Sequence, residues 1–359
     1  MKIARVTTTV ISIPRTTTLA TAYGSRDDAT TVLVELETDD GTTGVGQTPV
    51  DPPHFGAAGI KTNIDAYLTP ALIGQSPLDI ERLHVAMRRA LPGHLPTRGA
   101  VDLALWDLKG KALDIPVYQL LGGRVREGIA LMVMVPHGEP EAMHRATREL
   151  LATPYPALKV KIGMGLADDL ARYRAVREAA GDRALIQVDG NSGYSLSQAL
   201  VALGAMERIG GLGMIEQPVA RVDELAALAR HFPVPVMADE SIEGPDSLLD
   251  IIRREAAQAA FLKITKNGGL LGALKIAHIA EAGGIDLSVA VYYDVLAAAA
   301  AHLATALPAI TWPSFVTRLS DTVLTEPLLP AGLLLRAPEG PGLGVTLDHE
   351  KVRQYTVHR

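Results

Sequence analysis

The 359-residue chain contains no cysteine. That absence removes disulfides, thiolate nucleophiles, iron–sulfur clusters and thiolate zinc sites together. Aromatic residues are scarce at 4% of the chain, so a local gathering of them carries weight. Lys and Arg form no cluster that could track phosphates, and the net charge is −6, which argues against a nucleic-acid partner. Long apolar runs are missing as well. The richest, Val295 to Ile310, carries His302 and Pro308 and falls short of the ~20 residues that span a bilayer. Met1-Lys2-Ile3-Ala4-Arg5-Val6 reads as a strand and lacks the apolar core of a signal peptide. A cytoplasmic protein without a membrane partner is the expectation.

What is present describes an ordinary globular chain: 48% hydrophobic, 21% charged, and long enough for two domains or one large barrel with an accessory domain. Residues 1 to about 50 read as antiparallel strands. Thr30–Glu37 and Thr43–Gly46 flank the hairpin signal Asp39-Asp40-Gly41. Two stretches read as loops, Arg15–Asp28 with Tyr23 inside, and Pro49–Gly59 with His54 and Phe55; loops of this length are either functional lids or disordered. Residues 60 to 121 read as helices. Ile60, Ile64 and Leu68 recur every four residues, and Pro70 is expected to end or kink that helix. Leu78–Leu91 is a second helix, followed by Asp102-Leu-Ala-Leu-Trp106-Asp107 and the stop Gly122-Gly123.

From residue 128 short apolar runs alternate with helical stretches of 10 to 15 residues. The runs are Ile129–Val135, Leu158–Ile162, Leu185–Val188, Met214–Ile215, Val234–Ala238, Ala259–Ile264, Leu287–Val291 and Ile310–Trp312. Eight such units fit an α/β chain forming a (β/α)8 barrel. A doubly wound sheet competes, but the repeat shows no break where the winding would reverse. The reading is an α+β capping domain over 1–123, a barrel over 124–330, and a tail, 331–359, that returns to the cap.

Catalytic side chains of such a barrel sit at the C-terminal ends of its strands. The second run carries Lys159 and Lys161, which share a face because strand side chains alternate. An edge strand guarded by lysine would look the same. The next three runs end in Asp189-Gly-Asn191, Glu216-Gln-Pro218 and Asp239-Glu240-Ser241, and the sixth carries Lys263 and Lys266. Any one of these acids alone reads as a helix N-cap. Three of them at one barrel mouth would repel each other unless a cation sits between them. Oxygen-only donors suit Mg²⁺, and no His spacing supports zinc.

This ordered set resembles the enolase superfamily, in particular its muconate-lactonising subgroup, and the likeness runs along essentially the whole chain. It rests on Lys159-Val-Lys161, Asp189-Gly-Asn191, Glu216-Gln-Pro218, Asp239-Glu240-Ser241, Lys263-Ile-Thr-Lys266-Asn-Gly-Gly269, the Asp102…Asp107 helix and Gly340-Pro-Gly-Leu-Gly344. The resemblance implies Asp189, Glu216 and Asp239 as ligands of Mg²⁺, with Mn²⁺ as a substitute, and Lys161 and Lys263 as acid/base groups on opposite faces of a small-molecule carboxylate. It also implies a cap whose loops cover the mouth, and barrels of this family often self-associate into homo-oligomers. The chemistry would be abstraction of a proton α to a carboxylate through an enediolate, by a racemase, epimerase or cycloisomerase acting on an amino-acid derivative or dicarboxylate. Dehydration of a hydroxy-amino acid, such as a hydroxyproline, is the alternative. Lys159 is expected to lower the pKa of Lys161 and to touch the substrate carboxylate.

Substrate contacts are expected from Asn191, Tyr23, Tyr292 and Trp312, the aromatics either facing the substrate or packing under the lid. The seventh run ends Val291-Tyr292-Tyr293-Asp294-Val295, where cycloisomerases and acylamino-acid racemases of the subgroup carry a Glu-Ser/Gly-x-Ile-Gly-like segment. The eighth, Thr311-Trp312-Pro313-Ser314-Phe315, lacks the Asp-x-Asp of dipeptide epimerases. Asp294 reads as a helix cap or an ammonium contact, and His137 as a further contact. A nicotinamide dehydrogenase fails because Asp168 occupies the third small-residue position of Gly163-Met-Gly165.

Overall fold

A computed structural model describes residues 1–50 and 56–357. His54 and Phe55 lie outside the described residues. The chain opens with a three-stranded antiparallel sheet, β1 (Ile3–Thr21), β2 (Gly24–Thr38) and β3 (Thr43–Pro49). The stretch Arg15–Asp28, read above as a loop, is instead the distal half of the β1–β2 hairpin, with Leu19 opposite Arg26 and a two-residue turn at Ala22-Tyr23. This ribbon is polar on both faces, so it offers no apolar alternation from which a strand could be read. Pro70 does not end its helix either. The turn before it widens to π geometry over Ile64–Leu68, with the Thr69 N–H donating to Ile64 O, and the helix then runs to Leu72.

The second domain is a parallel sheet in chain order: β5 (Val133–Met134), β6 (Ala157–Lys161), β7 (Leu185–Asp189), β8 (Leu212–Glu216), β9 (Val236–Ala238), β10 (Ala259–Leu262) and β11 (Asp286–Val289). Helices follow each strand, among them Leu196–Ile209, Val222–His231 and Pro245–Arg253. The run Ile129–Val135 is split: β4 (Ile129–Ala130) pairs with β12 (Leu334–Leu335) outside the barrel sheet. The eighth run makes no regular strand, yet it completes the barrel. Ile310 bridges Leu287 on one side and Ser314 bridges Leu131 on the other, with Met132 N–H donating to Ser314 O at 2.7 Å. Pro313 within it has no N–H for a continuous ladder. The chain thus folds as a (β/α)8-type barrel beneath an α+β cap.

One buried helix, Leu95–Leu113, joins the two parts. Its Asp102 accepts from Leu270 N–H at 2.5 Å, capping the barrel helix Leu270–Gly283, and from His84 Nε2 at 2.6 Å. One turn on, Asp107 accepts from Val45 N–H of the cap sheet at 2.9 Å and from Leu343 N–H of the tail at 2.8 Å. Gly269 and Gly342, at φ +92° and +72°, stand so close to these carboxylates that a Cβ would strike Asp102 or Asp107. The Asp102…Asp107 helix and the glycine motifs are therefore two halves of one seam. The tail ends against the cap, where Val357 N–H donates to Val10 O at 2.9 Å.

Candidate active site

β6 lies between β5 and β7 and is buried along its whole length, which excludes the edge-strand reading of its lysines. Lys159 is 1% exposed and Lys161 8%. Register carries their face across the sheet: Lys161 is level with Asp189, and Asp189 with Glu216, while Asp239 lies just past the end of β9. The N-cap reading fails for all three acids. Ser195, Arg221 and Gly244 occupy the cap positions of the helices that follow.

The three carboxylates form a row with an ammonium at each end. Lys161 Nζ is 2.6 Å from Asp189 Oδ2 and 2.7 Å from Asn191 Oδ1. Lys263 Nζ is 2.6 Å from Asp239 Oδ2, and Lys266 Nζ lies 3.0 Å from Asp239 Oδ1. Lys159 sits inside the row, 2.8 Å from Asp189 Oδ2 and 2.6 Å from Glu216 Oε2, between the Phe261 and Phe315 rings.

Burial and the neighbouring Asp189 charge push the Glu216 carboxyl up to about 8, against the pull of Lys159. For Asp239 burial works upward, but Lys263 and Lys266 win and hold it down at about 2. Asp189 is likewise held well below the usual carboxylate range, because Lys159 and Lys161 outweigh its burial. Burial opposes the charge on Lys159, yet Asp189 and Glu216 raise it; for Lys266 burial dominates and lowers it. Glu240 is raised by burial and by Asp239, and its Oε2 is buried without a partner.

Among the described residues, no three His, Cys, Asp or Glu side chains are gathered around one point as they stand, each carboxylate of the row being turned onto a lysine. The donor set nevertheless suits a hard divalent cation. It offers oxygens only, burial and the charges of Asp189 and Asp239 together raise Glu216, and Glu240 adds an unsatisfied oxygen beside them.

Above the row opens a cavity of about 760 Å³. Lys159, Lys161, Asp189, Asn191, Asp239 and Lys263 form its floor, and the β1–β2 ribbon its far wall. Tyr23, 46% exposed at the ribbon tip, faces Glu240, Ser192 and Lys263 across the cavity, and burial followed by the Glu240 charge raises its hydroxyl pKa. Tyr292 lines the wall, with Tyr293 edge-on behind it at 6.2 Å.

Trp312 stands apart from the cavity lining. It packs into the barrel interior with Met214, Met237 and Phe261, and its indole N–H donates to Gln187 Oε1 at 2.6 Å. Asp294 is neither cap nor cavity wall: Tyr293 is the N-cap, and buried Asp294, at φ 49°, accepts from the Thr322 hydroxyl. His137 also lies outside the cavity lining, with Nδ1 buried and unpartnered.

Two family models span nearly all of the chain. The N-terminal domain of mandelate racemase/muconate lactonizing enzyme matches residues 5–122, and the enolase C-terminal domain-like model matches 142–352. The chain belongs to the mandelate racemase/muconate lactonizing enzyme family. It is an isomerase of the enolase superfamily, similar to racemases, epimerases and cycloisomerases. An N-succinyl-L-Arg/Lys racemase of Bacillus cereus is 33% identical, with 99% of this chain and 98% of that protein covered. A muconate cycloisomerase of Acinetobacter lwoffii is 32% identical over 99% and 96%. Among solved structures, muconate lactonizing enzyme of Pseudomonas fluorescens with muconolactone gives a TM-score of 0.94 at 31% identity, covering 99% of both chains. A dipeptide epimerase of Enterococcus faecalis, with Mg and L-Leu-L-Tyr, gives 0.90 at 29% identity over 96% and 100%.

Sequence reasoning missed Gln187, Phe261 and Phe315. Gln187 was within reach of it: two residues before Asp189 on a strand, it must share the acid's face. Phe315 lies in an irregular segment where alternation gives no direction.

Proposed function

We propose that this isomerase is Mg²⁺-dependent and works through an enediolate, either by removing the proton α to a substrate carboxylate and returning one, which racemises or epimerises, or by letting an internal carboxylate add to a conjugated double bond and protonating the enediolate so formed, which cycloisomerises. The observation that carries the reading is the row Asp189–Glu216–Asp239 with Lys161 at one end and Lys263 at the other. In this reading Asp189, Glu216 and Asp239 hold the cation, which when bound stabilises the negative charge that develops on the substrate carboxylate. Lys161 Nζ takes the α-proton on one side of the substrate and Lys263 Nζ delivers one from the other. Asn191 holds Lys161 Nζ in place and, through its amide nitrogen, accompanies Glu240. Lys159 balances the buried acids and adds positive potential beside Lys161. The ribbon bearing Tyr23 covers the mouth and limits water.

Residues 1–123 act as the cap, 124–330 carry the chemistry, and 331–359 tie the two together. Substrate class is read from the rim. Arg15, Arg26 and Arg318 line the cavity, and among the described residues none has a carboxylate partner within salt-bridge distance. Arg15 and Arg26 are held by backbone carbonyls of Asp28 and Val50. Three such guanidinium groups favour an amino-acid derivative or dicarboxylate with a second acidic group far from the reacting carbon. The test is incubation with Mg²⁺ in D₂O, with libraries of N-acylated amino acids and dicarboxylates, followed by proton NMR. Loss of the α-proton signal without loss of water supports the reading. A keto or enamine product points to dehydration, and no exchange with any member of either library contradicts it.

A further inference from the structure

Gln187 lies on β7 two residues before Asp189, points into the barrel and is fully buried. Its amide bridges two groups from distant parts of the chain. Trp312 Nε1 donates to Gln187 Oε1 at 2.6 Å, and Gln187 Nε2 donates to Glu216 Oε2. The direction of this chain is set by chemistry. An indole N–H can only donate, so the amide oxygen must face it, and the amide NH₂ is left facing Glu216. Met214, Met237 and Phe261 surround the three groups, so besides Glu216 the amide hydrogens meet only the weak Met237 Sδ acceptor at 4.0 Å.

The two oxygens of Glu216 are thereby made unequal. Oε2 takes both Lys159 and Gln187, while Oε1 has Lys159 alone at 2.8 Å. The amide is neutral, so it orients a buried carboxylate without adding a positive charge that would oppose a cation. Trp312 belongs to the segment 310–314 that closes the barrel, so the closing segment reaches the acid on β8 through a single side chain.

We propose that Gln187 and Trp312 are positioning residues that fix the carboxylate of Glu216 from beneath so that it can hold a divalent cation. The inference rests on the reading of Glu216 as a ligand. Replacing Gln187 leaves the carboxylate to Lys159 alone, and replacing Trp312 leaves the amide that faces it unanchored, each with the tenfold to hundredfold loss of affinity typical of about one lost partner behind a ligand.

Mg²⁺ titration by calorimetry of the wild-type protein, Trp312→Phe, Gln187→Met and the double variant tests it. Each single variant is expected to bind Mg²⁺ at least about tenfold more weakly, and the double variant no more weakly than Gln187→Met, because the pair acts as one unit. A second readout needs no variant. The chain has two tryptophans, so its ¹⁵N-indole spectrum holds the Trp312 signal and that of Trp106 as an internal reference. Mg²⁺ should move the Trp312 resonance in the wild-type protein and leave Trp106 in place. Wild-type affinity in both single variants, or a stationary Trp312 signal while calorimetry records binding, overturns the relay alone. A wild-type protein that binds no Mg²⁺ overturns the reading of the site and the relay with it.

Discussion

Lys161 and Lys263 reach the same row of buried acids from opposite ends, each with Nζ 2.6 Å from a carboxylate oxygen, Asp189 Oδ2 for one and Asp239 Oδ2 for the other. Lys161 ends β6 and Lys263 directly follows β10, and between those two strands lie the three at whose C-terminal ends the acids stand. A substrate lying over the row would thus present one face to each lysine, which is the arrangement a two-base proton transfer requires.

Metal removal is the first consequence. Treatment with EDTA should abolish turnover, and Mg²⁺ or Mn²⁺ should restore it. On the proposed reading only the folded row holds the cation, so Mg²⁺ at a hundred times its Kd should stabilise the protein by about 2.7 kcal/mol. Differential scanning calorimetry with and without Mg²⁺ measures this, and an unchanged Tm at saturating Mg²⁺ would contradict it.

The pH dependence of the metal-free protein follows from Glu216. Its carboxyl sits at about 8 in the folded chain against an ordinary 4.5. Between those values the folded protein keeps a proton that the unfolded chain has released; buried His302, held down at about 4, offsets this below about 6.5, so stability falls as pH rises from about 6.5 toward 8. Glu216→Gln should flatten this slope, and Mg²⁺ should flatten it in the wild-type protein. Urea midpoints across that range in EDTA check the sign.

Asp102 carries a stability prediction that is independent of catalysis. Asp102→Ala strips the acceptor from His84 and from the Leu270 and Leu271 amides, all at the seam between cap and barrel. Buried donors left without an acceptor should cost about 2–4 kcal/mol. Gly269→Ala should also destabilise, because it places a Cβ against the same carboxylate at φ +92°. Chemical denaturation with an unchanged m-value would register both.

Much of this architecture was legible in the chain because the barrel strands are short apolar runs that end in chemistry-bearing residues. The row Asp189, Glu216, Asp239 and the flanking lysines could be read from strand ends alone. The β1–β2 ribbon could not, because both of its faces are polar and its length comes from pairing rather than pattern. Trp312 was legible as an aromatic near the mouth but not as an interior one. Its segment is broken by Pro313, and its direction is fixed by a hydrogen bond to Gln187, 125 residues earlier in the chain. The Asp102 helix could be read as buried, but the carboxylates' partners on Gly269-Leu270 and Leu343 became visible only once cap and barrel were together.

Proton exchange at the substrate's α-carbon by Lys161 on one face and Lys263 on the other is tested by following deuterium from D₂O into each enantiomer of a turned-over substrate. Lys161→Ala and Lys263→Ala should each lower turnover by about 10²–10⁴-fold. Each should also lose exchange from the enantiomer whose α-proton faces the missing amine while retaining it for the other. Wild-type turnover and exchange from both enantiomers in either variant would contradict the account.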